Sequence, residues 1–128
     1  MTKRKDGVER RKHRRFQVPS GAFVELCPRG AIVGKIVDIS LGGLAFGYID
    51  GQKPLKRSSE LHVFCVENGF CLREVRFKTV WDFEIPNELP VNSEAMRQSG
   101  VRFKRLGRDQ RSQLKYFIEN HTMGEVQL

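Results

Sequence analysis

From residue 22 onward, apolar and polar side chains alternate with a period of two through much of the chain. That spacing puts residues i and i+2 on one face of a strand. The clearest run is 70–83, where Val75, Phe77, Thr79, Trp81 and Phe83 fall on one face and Glu74, Arg76, Lys78 and Asp82 on the other. This pattern places Trp81 in the core. A strand of that length has to bend if the sheet is to close. Shorter runs at 22–26, 32–39, 44–49, 60–66 and 100–106 also read as strands. Asn68-Gly69 favours a tight hairpin between two of them, and residues 50–59, rich in Gly, Pro, Lys and Ser, read as a loop. Pro86 and Pro90 break the pattern over 85–94. The period then changes. Leu114, Phe117, Ile118 and His121 follow i, i+3, i+4, i+7, which predicts an amphipathic helix over 107–120 with Asp109 suitably placed in its first turn. Short strands joined by turns and closed by one helix predict an all-β domain, a small six-stranded antiparallel β-barrel with a C-terminal α-helix.

Residues 1 to about 19 lack this periodicity and end at Pro19-Ser20-Gly21. They read as a flexible basic N-terminal arm: a mobile leader over 1–8, then a single domain over 9–128. The net charge of +8 is concentrated there. Residues 1–16 hold eight Lys/Arg against two Asp/Glu, leaving fifteen against thirteen in the rest of the chain. A basic arm on a nearly neutral body predicts an anionic partner, whether nucleic acid, membrane surface or small phosphorylated ligand. Cys27, Cys65 and Cys71 are odd in number and form no C-x-x-C pair; they read as small buried hydrophobes, and no zinc constellation is expected. Reduced thiols, the lack of an apolar stretch behind the charged N-terminus and the lack of a 20-residue apolar run predict a cytoplasmic protein with no membrane insertion.

Two short motifs carry candidate chemistry. The first is Glu9-Arg10-Arg11-Lys12-His13-Arg14-Arg15-Phe16. A guanidinium keeps its charge, grips phosphate or the O6/N7 edge of guanine with two prongs, and stacks on flat rings. Arg11 and Arg15 are four residues apart, as are Arg10 and Arg14; alone, such a run also serves as a solubilising tail. The second motif is Asp38-Ile39-Ser40-Leu41-Gly42-Gly43, at the end of an apolar strand. A carboxylate can accept from guanine N1–H and N2–H₂, a serine adds a small donor and acceptor, and glycine allows close backbone approach. Alone, it also reads as a serine turn between strands.

Taken together, Arg11-x-x-x-Arg15 and Asp38-x-Ser40-x-x-Gly43 resemble the PilZ family of cyclic di-GMP receptors, as do Phe16 and the closing Gly100-Val101-Arg102-Phe103. The resemblance extends from about residue 9 to 120 and implies a six-stranded barrel. It also implies that Arg11 and Arg15 grip guanine and phosphate from the arm. Asp38 and Ser40 would then meet a guanine edge and a nearby phosphate, with Gly43 giving close approach. Arg10, just before the motif, implies a further contact to a stacked pair of cyclic di-GMP molecules.

The leading expectation is therefore a receptor without chemistry of its own and without a cofactor. Its ligand would be cyclic di-GMP, its output a changed surface read by a downstream protein, and no specific nucleic acid would be involved. The alternatives are a nucleic-acid-binding barrel and a ligand-independent interaction module of the same fold. An enzyme is not expected, since Asp38 and Ser40 have no matched base. His13 reads as a solvated residue between the arginines, and His62 and His121 have no evident partner.

Overall fold

The computed structural model describes residues 13–27, 32–49, 59–86 and 96–126. The expected leader at 1–8, together with Arg10 and Arg11, lies outside the described residues. Among the described residues, eight strands and one helix follow in chain order: β1 Phe16–Gln17, β2 Ala22–Cys27, β3 Ile32–Ile39, β4 Gly43–Ile49, β5 Glu60–Cys65, β6 Phe70–Ile85, β7 Met96–Phe103, then helix α1 Arg108–His121 and β8 Gly124–Glu125. Six of the strands pair antiparallel in the order β2-β5-β6-β7-β4-β3, and a β2–β3 pairing closes the ring. The architecture is thus the closed six-stranded barrel that the periodicity predicts. Closure leaves none of the six without a partner along its whole length, and a core fills the interior. That core includes Val24, Leu26, Ile39, Phe46, Leu61, Val63, Leu72 and Val75, all inaccessible to solvent. Helix α1 adds Leu114, Phe117 and Ile118, and Phe117 stacks on Phe70 with ring centroids 4.5 Å apart.

The hairpin at Asn68-Gly69 forms as expected. Asn68 Oδ1 accepts from the Phe70 N–H at 3.0 Å, and Gly69 takes a φ of 74° that glycine adopts without steric cost. The long strand β6 bends at two places. Its pairing with β5 shifts register between Leu61 and Val63, opposite Arg73 and Glu74, and Glu74 has a φ of 56°. Side chains from two elements, β5 and α1, hold this bulge. His62 Nδ1 accepts from the Glu74 N–H at 3.0 Å, which leaves the ring proton on Nε2, 3.4 Å from Cys27 Sγ. Gln110 Nε2 donates to the carbonyls of Arg73 at 2.8 Å and Glu74 at 3.1 Å, while its Oε1 caps α1 by accepting from the Gly107 N–H at 2.8 Å. His62 therefore has partners that its sequence context does not reveal. The cysteines divide differently from expectation: Cys65 is buried, Cys27 half-buried and Cys71 exposed.

The second bend lies between Thr79 and Trp81, where the β6–β7 ladder skips Val80. The skip moves Trp81 off the inward face. Trp81 is half-buried, stacked on Phe83 at 5.1 Å, and both rings lie outside the core. The placement of Trp81 in the core is thereby corrected: one inserted residue inverts every side chain beyond it.

The N-terminal arm is also more ordered at its end than expected. Phe16 and Gln17 pair with Ile39 and Asp38 of β3 on one side and with Glu125 and Gly124 of β8 on the other. The chain thus does not stop at the helix but returns beside its own N-terminal segment. β7 starts at Met96, four residues before the expected strand, because its first half carries the polar residues Arg97, Gln98 and Ser99. Among the described residues, no helix is long and apolar enough to cross a membrane.

Candidate functional site

The register of β1 against β3 brings the two sequence motifs together. Arg15 immediately precedes the Phe16↔Ile39 and Gln17↔Asp38 pairs, and its Nη1 lies 3.6 Å from Asp38 Oδ1. That approach is a Coulombic pairing at more than hydrogen-bond length. Arg14 points the other way, its Nε 3.8 Å from Glu125 Oε2 on an exposed face. The two residues just before β1 therefore point apart: Arg15 faces the site and Arg14 does not.

Asp38 owes its position to a further irregularity. The β3–β4 register runs Lys35↔Gly47, Ile36↔Phe46, then Asp38↔Ala45, so Val37 is an extra residue. Strict alternation would send Asp38 inward with Ile36 and leave Ile39 outside. The bulge at Val37 reverses this, leaving Ile39 fully buried and Asp38 beside Arg15.

Ser40 and the glycines make a tight corner. The N–H groups of Gly42 and Gly43 donate to Ser40 Oγ at 3.0 and 3.1 Å, and the Ser40 N–H donates to the Gly43 carbonyl at 2.8 Å. Ser40 is buried. Its hydroxyl is thus committed to the turn, which it shapes from within. Gly43 is required by the neighbouring strand, because a Cβ there would lie 2.1 Å from the Val101 carbonyl oxygen. Gly42 is covered by His13, whose Cδ2 would lie 2.7 Å from a Cβ at that position. His13 is accordingly a half-buried residue of the site and not a solvated one.

This corner forms one wall of an open groove of about 580 Å³. Leu41, the Gly42–Gly43 backbone, Trp81, Gly100 and Phe103 line it, and the Phe103 N–H donates to the Gly42 carbonyl at 2.8 Å. Gly100 is the seat of the tryptophan ring, since a Cβ there would lie 2.2 Å from Trp81 Cε2. His13, Arg15, Arg102, Lys104 and Arg111 supply cationic or cation-capable groups. The groove therefore combines an indole, fixed positive charge and one carboxylate at its arginine-bearing edge. Such a set can stack a planar ring, bind phosphate and accept from the N–H groups of a base.

Residues 9–120 match the family described as PilZ domain. The chain belongs to the PilZ domain family. Its fold agrees with solved members. The PilZ domain with c-di-GMP of YcgR from Escherichia coli superposes with a TM-score of 0.65 at 17% identity, over 88% of this chain and 91% of that one. YcgR in complex with c-di-GMP from the same organism gives 0.62 at 19% identity, over 86% of this chain and 45% of that one. The MrkH–c-di-GMP complex of K. pneumonia gives 0.63 at 17% identity, over 86% and 50%. This PilZ chain thus spans nearly all of an isolated PilZ domain and about half of those two longer proteins. Among curated protein sequences none matches it.

Of the residues expected to bind ligand, the structure brings Arg15 and Asp38 together and places Ser40 and Gly43 in the adjoining corner. Sequence reading did not single out Lys104 or Arg111, and it treated Trp81 as core. The spacing Gly100-x-Arg102 signals an outward-facing arginine by strand alternation. Arg111 carries no such signal, because only the packing of α1 brings it to the groove.

Proposed function

We propose that this PilZ domain is a receptor for cyclic di-GMP, bound in the groove between the Asp38–Gly43 corner and Trp81. The observation that carries the reading is the β1–β3 pairing, which sets Arg15 beside Asp38 at the edge of a cationic groove floored by glycine. Cyclic di-GMP is a dianion with two purine faces. Arg15 would hold a phosphate or the guanine O6/N7 edge, with Arg11 joining it from the arm and Arg10 reaching a second, stacked ligand molecule. Asp38 would accept from the guanine N1–H and N2–H₂. Ser40 and Gly43 would act mainly by holding the corner in shape, and Trp81 would stack a base. The domain, taken as residues 9–128 behind a leader at 1–8, would perform no chemistry and need no cofactor. It would work in the cytoplasm, passing its changed surface to a downstream protein. The proteins of similar fold whose structures were solved with c-di-GMP support the ligand class.

Calorimetric titration tests this reading. Wild type is expected to bind cyclic di-GMP with micromolar or better affinity, which corresponds to about 8 kcal/mol or more. Arg15→Ala and Asp38→Ala should each weaken binding at least tenfold, since each removes a charged group from a ligand contact. Absence of heat with the wild-type protein, or undiminished binding by both variants, sinks the proposal. Steep salt dependence without preference for cyclic dinucleotides would assign the groove to nucleic acid instead.

A further inference from the structure

The groove depends on Trp81, and among the described residues the part of β6 that carries it has a strand partner on one side only. The β5–β6 ladder ends at Glu60↔Arg76, with the Phe77 N–H still donating to the Ser59 carbonyl at 3.1 Å, and from Lys78 onward β6 pairs, among the described residues, with β7 alone. The bulge at Val80 falls within that one-sided stretch. A half-paired, bulged strand end would allow an indole to shift with its backbone. Side chains from β4 and β7 fasten it from behind.

Asp82 lies next in sequence to Trp81 and projects to the opposite face. One of its carboxylate oxygens, Oδ2, accepts from the Tyr48 hydroxyl at 2.6 Å. The other, Oδ1, meets Arg97 Nε and Nη2, each at 2.7 Å. Tyr48 sits on β4 and Arg97 on β7, so the set ties three adjacent strands together. Ser99, fully buried on β7, donates its hydroxyl to the Trp81 carbonyl at 3.2 Å. The backbone of Trp81 is thus fixed at its own carbonyl and at the side chain of the following residue. On the groove side, Gly100 sits directly under the ring. Tyr48, Asp82, Arg97 and Ser99 are all absent from the groove lining.

We propose that Tyr48, Asp82, Arg97 and Ser99 are positioning residues for the groove: they lock Trp81 at one height above Gly100 and so set the affinity for a planar purine base without touching it. The proposal rests on the reading of the groove as a cyclic di-GMP site. Removing one hydrogen bond from the set should loosen the indole, so that part of the ligand's binding energy is spent on ordering it.

Trp81 is the only tryptophan in the chain, so its emission reports the ring directly. The experiment measures emission wavelength and anisotropy for wild type, Tyr48→Phe and Ser99→Ala, and titrates cyclic di-GMP into these three proteins and into Trp81→Ala with and without Tyr48→Phe. Tyr48→Phe keeps the buried ring and removes only the donor, so far-ultraviolet dichroism and a cooperative melt should be retained. The expected result is lower anisotropy in both single variants and a Kd raised about three- to tenfold, the loss of one hydrogen bond's worth of binding. That effect should vanish on the Trp81→Ala background, because a positioning residue has nothing left to position. Unchanged anisotropy and Kd in both single variants overturn the proposal. So does the same Kd penalty with and without Trp81, which would mark a general structural role. If wild type gives no binding at all, the cyclic di-GMP reading fails on its own. The anisotropy of the free proteins then still decides whether this set holds Trp81.

Discussion

Gly43 illustrates how a motif residue can be demanded by the fold before any ligand arrives. A methyl group at this position would fall 2.1 Å from the Val101 carbonyl oxygen, which belongs to the β4–β7 ladder and cannot swing aside. Gly43→Ala should therefore destabilise the domain by about 1–3 kcal/mol, in the range of other overpacked sites. A urea-unfolding midpoint indistinguishable from wild type would contradict this. Tyr48 makes a different prediction. Its burial, followed by the hydrogen bond and charge of Asp82, raises the phenol to about 12 from an ordinary 10.0. The folded protein therefore holds this proton more tightly than the unfolded chain does. The resulting stabilisation is complete below pH 10 and is lost as pH rises from 10 through about 12. With Tyr116→Phe leaving Tyr48 as the sole tyrosine, phenolate absorbance should develop only toward pH 12 and coincide with loss of structure. Full ionisation near pH 10 in a folded protein would refute the assignment.

At the scale of elements, three single-residue insertions govern where the functional side chains point. The bulge at Val37 brings Asp38 beside Arg15, the one at Val80 brings Trp81 to the groove, and the one at Arg73–Glu74 bends β6 so that the barrel can close. The last contains a non-glycine residue in the left-handed region, Glu74 with φ 56°. Such a conformation costs roughly 1–2 kcal/mol, partly offset in a glycine variant by the roughly 0.5–1 kcal/mol of added backbone entropy. The bulge's hydrogen bonds to His62 and Gln110 use only the backbone of residue 74. Glu74→Gly should thus raise stability by several tenths of a kcal/mol to about 1 kcal/mol; a lower melting temperature would show that the Glu74 side chain matters more than its strain. The same insertions explain what was legible beforehand. Hydropathy alternation locates the barrel strands and the Leu114–Phe117–Ile118 face of the helix, because burial is a property of many residues at once. A bulge is one skipped position with no residue type of its own, so a strict period of two carries Trp81 to the wrong face and would carry Asp38 there too. The first half of β7 was missed for a related reason. Its inward side chains include Ser99 and Arg97, polar groups satisfied by the Trp81 carbonyl and Asp82, and a polarity scan reads those as surface. The adjacency of Arg15 and Asp38, by contrast, accords with reading their two motifs together, since the side chains lie next to each other.

For the molecule as a whole, the charged N-terminal segment and the segment after the helix share one sheet edge. β1 is held on one flank by β3, which bears Asp38, and on the other by β8. Two hydrogen bonds mark the second flank: the Met123 N–H donates to the Gln17 carbonyl and the Val126 N–H to the Arg15 carbonyl, each at 2.8 Å. Any ligand that tightens Arg15 must steady those bonds as well, although neither donor lines the groove. Amide hydrogen exchange at Met123 and Val126 should consequently slow on addition of cyclic di-GMP, with the exchange of exposed helix amides unaffected. Unaltered exchange at both positions under saturating ligand would show that β1 does not take part. Segments more than a hundred positions apart in sequence thus share one set of hydrogen bonds. Two backbone amides more than a hundred positions downstream can serve as a label-free gauge of whether the proposed ligand has engaged Arg15.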